Sequence, residues 1–173
     1  MKIFQRDRSG TATDSLQTYL HSHLIAAAAG ERLFAHAAGT WRDSPEGATI
    51  ARLRNDVRTD KDALHGIAET LGMGIPAYKK PFARAGALLG SLGPINPFHA
   101  RTGAAEQLEL EALISAVTGK SLLWKTLVVL SRTEPRIGQD RVTELLDRAT
   151  AQLRVLEALL LDTAPDRFAD PDL

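Results

Sequence analysis

Four polar side chains interrupt or flank the apolar stripes of this chain near the middles of its helical segments: His23, Asp60, Lys120 and Gln152. A carboxylate and an ammonium can trade protons, hold an anion or a cation, or simply neutralise each other. The outcome depends on whether the fold brings them together. Buried and alone, each costs several kcal/mol, so a core that contains both is expected to pair them. Folding the first helical hairpin about Trp41 sets His23 opposite Asp60, and folding the second about Arg136 sets Lys120 opposite Gln152. The four residues are therefore expected to form one polar layer at mid-bundle, with Asp60 paired to Lys120 and with His23 or Gln152 completing the hydrogen bonds.

Other chemistries lack their residues. The stretch Gly86 to Gly93 has no lysine-serine ending to hold phosphate and magnesium. The five histidines (His21, His23, His36, His65, His99) cluster only as His21-x-His23, which points to different faces of a helix. No Ser-His-Asp grouping is recognisable, and no cysteine is present, which removes disulfides, thiolate metal sites and cysteine nucleophiles.

The elements that must position the polar layer are helices. Leu (25) and Ala (26) dominate the 173 residues, and both favour helix over strand. Helices are expected over 14–38, 44–71, 103–132 and 139–163, with 1–13 a flexible segment and 164–173 a tail. Thr13 or Asp14 would cap the first, Ser44-Pro45 would start the second, and Pro165 would stop the fourth. Apolar residues recur at steps of three and four on each, because successive residues turn about 100° around a helix. The second helix reads Ile50, Leu53, Val57, Asp60, Leu64, Ile67, Leu71, and the fourth reads Val142, Leu145, Ala149, Leu153, Leu156, Leu160. The first (Leu16, Leu20, Leu24, Ala27, Glu31, Phe34) is interrupted by Glu31, and the third (Leu110, Leu113, Val117, Lys120, Trp124, Leu127) by Lys120. The chain thus reads as an all-α, single four-helix bundle spanning 14–163. Short links join helices one to two and three to four, while a long crossover, 72–103, joins two to three. An up-down bundle with an inserted loop is the alternative topology.

Charge excludes further classes. Twenty-one basic residues balance twenty-one acidic ones, so a general nucleic-acid binder is not expected. The crossover carries Lys79, Lys80, Arg84 and Arg101 with no acidic residue, a basic strip that gives weak, salt-sensitive attraction to anions at most. No signal core and no uninterrupted apolar run long enough to span a bilayer is apparent, which leaves the cytoplasm as the expected compartment.

LQTYLHSHLIAAAAGERLF and LELEALISAVTGKSLLWKTL resemble segments of uncharacterised ferritin-like bundle proteins of high-GC bacteria, and the topology is similar to the ferritin-like superfamily over about residues 14 to 163. Metal-binding members of that superfamily use a Glu on two helices and a Glu-x-x-His on the other two. Carried over, Glu31 matches the helix-one Glu, and Glu106 or Glu109 the helix-three Glu. The second helix has only Asp62-x-x-His65, aimed off its stripe, and Glu157 of the fourth has Leu160 where the histidine belongs. A complete di-metal site is not expected. The resemblance thus implies a structural or interaction module rather than an enzyme. The alternative is a metal-binding or redox protein holding iron or manganese on a non-standard set, His23, Glu31, Asp60 and Glu109. A third reading has the basic crossover bind an anionic surface.

The third helix is apolar nearly all round over LLWKTLVVL, as a central helix is. A strip of small residues beside its stripe (Ala105, Ala112, Ala116, Gly119) permits close helix approach. That strip is expected to pack against the crossover or, alternatively, to form a homodimer interface.

Overall fold

The computed structural model describes residues 4–74 and 103–168, with side chains from residue 12 onward. The chain is all-helical over these residues: α1 (Phe4–Thr40), α2 (Gly47–Thr70), α3 (Gly103–Leu130), a 3-10 turn (Pro135–Ile137), α4 (Gln139–Asp162) and α5 (Ala164–Phe168). The basic strip of Lys79, Lys80, Arg84 and Arg101, with most of the expected crossover, lies outside the described residues.

Several boundaries differ from the sequence expectation. The first helix begins at Phe4, so most of the segment expected to be flexible is helical, and Thr13 and Asp14 are exposed positions within it. Gly10 does not end the helix; one interior glycine costs only about 1 kcal/mol, which the flanking turns absorb. Ser44 does not cap α2. Its hydroxyl donates to the Trp41 carbonyl within the turn (3.0 Å), and α2 starts at Gly47. There a β-carbon would collide with the carbonyls of Trp41 and Arg42, so only glycine fits. The expected tail contains α5, whose Arg167 reaches back to Glu106 and Gln107 at the start of α3. α2 ends in a glycine at positive φ (Gly72, 74°), with the Gly72 amide bonded to the Glu69 carbonyl and the Met73 amide to the Ala68 carbonyl. This is the paired closure of a Schellman turn, which satisfies carbonyls left open by the helix end.

Side-chain contacts fix the helix directions. The middle of α1 meets the chain just past α2 (His21 Nε2 to the Met73 carbonyl, 2.8 Å), and later α1 meets mid-α2 (Glu31 to Lys61, 2.5 Å). The middle of α1 also meets late α3 (Tyr19 to Thr126, 3.2 Å), while Trp41 just beyond its end meets early α3 (Glu109, 2.8 Å). Both α2 and α3 are therefore antiparallel to α1, and hence parallel to each other. α4 runs antiparallel to α3, with Arg167 beyond its end beside Glu106.

The four long helices share one core. Every member of the α2 stripe is buried, as are Leu20, Leu24 and Phe34 of α1, Leu110, Leu113, Val117, Trp124 and Leu127 of α3, and Val142, Leu145, Ala149 and Leu156 of α4. By length and composition α3 would also pass for a membrane span (mean hydropathy 1.4 over its most apolar window). A third of that window is buried inside the protein, its inward side chains belonging to the shared core.

Candidate functional site

Asp60 sits on the core-facing stripe of α2 and is fully buried, at 0 % exposure. Two cations and an amide converge on it from α3 and α4. The Lys120 ammonium donates to Oδ2 at 2.5 Å and also to the Gln152 side-chain carbonyl at 2.5 Å. Gln152 Nε2 donates to the same Oδ2 at 3.2 Å, closing a three-membered ring of contacts. On the other oxygen, Arg148 Nη2 lies 2.5 Å from Oδ1 as an ion pair without hydrogen-bond alignment. Burial lowers the Lys120 pKa from its ordinary value, while the charge of Asp60 and its hydrogen bond oppose the shift; Arg148 adds to the lowering and Asp56 opposes it.

No family model, curated protein or solved structure matches the chain. What the layer can do therefore follows from its own geometry.

Both carboxylate oxygens are already engaged by cations, and the cluster carries two positive charges against one negative. A divalent ion about 4 Å from the ammonium would meet a repulsion of roughly 8 kcal/mol at an effective dielectric constant of about 20. The arrangement neutralises a buried carboxylate and ties three helices together; it does not offer vacant ligands. Arg148 was not among the residues read from sequence. Its signal was its place four residues before Gln152 and beside Ala149, one turn along the same face.

His23 lines the same cavity as Asp60 and Lys120 but makes no hydrogen bond to the layer, which corrects the expectation that it completes the bonding. The Glu31–Lys61 contact puts Asp60 near the level of Glu31, eight residues and roughly 12 Å further along α1 than His23. The turn over 41–46 and the long α1 shift the hairpin register away from a fold centred on Trp41. His23 instead packs edge-on against Tyr19, with ring centroids 4.6 Å apart, and burial lowers its pKa.

The alternative metal set is also corrected, because His23, Glu31, Asp60 and Glu109 do not converge. Glu31 is paired with Lys61 and Asp60 with Lys120 and Arg148. Glu109 lies eleven residues before Lys120 on α3, roughly 16 Å away along the axis. There its Oε2 accepts the Trp41 indole N–H (2.8 Å), while Oε1 is buried without a hydrogen bond and 4.0 Å from His36 Nε2. Among the described residues no group of three or more His, Asp or Glu side chains is placed to hold a metal ion.

A cavity of about 220 Å³ borders the layer between α1, α2 and α3. It exists because α1 presents Ala26, Ala27 and Gly30 where α3 presents Ser115, Ala116 and Gly119, with His23, Lys120 and Asp60 on its wall. Of the small-residue strip of α3, Ala116 and Gly119 thus face α1. A β-carbon at Gly30 or Gly119 would meet no atom within 4 Å. Each glycine sits in a helix interior, so Gly30→Ala and Gly119→Ala are each expected to stabilise the protein by about 0.5–1 kcal/mol. Urea unfolding of the two variants checks this, and a loss of stability in either would show that the space is needed.

Proposed function

We propose that this chain is a ferritin-like four-helix bundle in which an ion-pair layer occupies the position of a metal centre, and that it serves as a structural or interaction module rather than an enzyme. The observation that carries the reading is the engagement of both Asp60 oxygens, by Lys120 on one side and Arg148 on the other. An ammonium and a guanidinium at mid-bundle hold the helices at a fixed level and repel a cation.

The common direction of α2 and α3 supports the ferritin-like topology. Parallel neighbours need a connection that returns the length of the bundle, about 42 Å for a helix as long as α3. Residues 75–102 are ample for that, since an extended chain of this length spans roughly 90 Å. A bacterial, cytoplasmic setting accords with the resemblance and with the absence of cysteine.

Plasma emission analysis of the purified full chain tests the reading. The expected result is no stoichiometric iron, manganese or zinc. About two metal ions per chain would overturn it and direct attention to Glu31 and Asp60.

A further inference from the structure

The face of α3 opposite its core stripe is partly apolar. Leu108, Leu122 and Val129 are 47, 54 and 59 % exposed, and among the described residues of the four long helices only Leu161 near the end of α4 is another exposed large apolar side chain. They fall on a line with exposed Glu111, Ser115 and Lys125, in steps of three, four and seven. That spacing is the seam of a two-helix contact, in which side chains of one helix fit between those of another.

Charge along the seam is asymmetric. Glu111 stands near one end and Lys125 near the other, and neither has an ion-pair partner among the described residues. We propose that two copies of the chain associate through this face of α3, antiparallel, about a two-fold axis beside Thr118. In that register Glu111 of each copy meets Lys125 of the other, Leu108 meets Val129, and Leu122 packs over the small Ser115. One self-complementary patch satisfies all of these at once, as a two-fold interface requires. A parallel pairing would set Glu111 against Glu111 and Lys125 against Lys125, which like charges disfavour.

The contact is modest. From Leu108 to Val129 the seam is roughly 32 Å long, and one helix pair of that length lies at the lower end of the area of specific interfaces. A reversible dimer is therefore expected, populated as concentration rises. The inference deepens the interaction reading above, but its test reads oligomeric state, so it fails or survives independently of metal content.

Sedimentation velocity of the full chain over about 1 µM to 1 mM should give a concentration-dependent dimer. Glu111→Lys alone and Lys125→Glu alone should each weaken it about ten-fold, and the double reversal should restore it. Because the chain has no cysteine, orientation can be read by cross-linking. Thr118→Cys at the axis should oxidise to a covalent dimer, whereas Leu108→Cys, roughly 30 Å from its symmetry mate, should not. A monomer throughout, charge reversals without effect, or cross-linking through Leu108→Cys would each overturn the proposal. Circular dichroism of every variant confirms that the exposed substitutions leave the fold intact.

Discussion

Asp60→Ala is expected to destabilise the protein by about 3–5 kcal/mol, the range for breaking a buried ion pair by removing one partner. The substitution removes the only carboxylate that Lys120 and Arg148 contact in the ion-pair layer, together with the acceptor for Gln152 Nε2. Lys120 is the more confined cation, with its side chain 15 % exposed, while Arg148 at 37 % can turn toward water. The loss should therefore fall mainly on Lys120. Replacing Asp60 with Leu and Lys120 with Met together should cost much less, because no charge is stranded. A double-mutant cycle in urea measures the coupling directly. Additive effects, or an Asp60→Ala cost below about 0.5 kcal/mol as at a surface site, would contradict the layer. The pH dependence has a definite sign. Lys120 has a folded-state pKa below the ordinary 10.5, so the folded protein gives up this proton before the unfolded chain does. Stability attributable to Lys120 accordingly rises with pH between the folded value and 10.5, and Lys120→Met should remove that rise.

Trp41→Ala should cost a similar amount, about 3–5 kcal/mol, for a different reason. Trp41 fills the end of the bundle at 5 % exposure, at the start of the turn into α2. The Arg167 guanidinium lies over its ring at 5.1 Å from the centroid, so the side chain also anchors α5. Its indole N–H is the hydrogen-bond donor to Glu109, a residue only 3 % exposed. Truncation removes both a large packed ring and that donor. Trp41→Phe separates the two contributions: the ring is largely kept, the carboxylate loses its donor, and the expected cost is about 1–3 kcal/mol. Adding Glu109→Met to Trp41→Phe should recover much of that loss. Unfolding followed by circular dichroism is the suitable measurement, because removing one of the two tryptophans alters fluorescence itself. If Trp41→Phe proved neutral while Trp41→Ala did not, packing alone would account for the site.

Much of this arrangement is legible in the sequence. The α2 stripe from Ile50 to Leu71 is buried in full because a period of three and four residues must present one side of a helix, and only one side can be dry. Lys120 and Gln152 lie at one level because the second hairpin folds close to Arg136, with little slack in a short turn, and Asp60, at the middle of the α2 stripe, meets them there. Tertiary structure decided what depends on register and on which side of a helix is left over. The turn from Trp41 to Glu46 shifted α1 against α2 and put Asp60 near Glu31 instead of His23, a displacement that no periodicity encodes because every turn of an apolar stripe is an acceptable neighbour for every other. Arg148 became the second partner of Asp60 because a long side chain beside the stripe can reach inward, and its direction depends on the charge it finds there. For α3, apolar nearly all round, the sequence alone could not say which side faces the core. Packing against α1, α2 and α4 chose the side with Leu110, Leu113, Val117, Trp124 and Leu127, and left Leu108, Leu122 and Val129 at the surface.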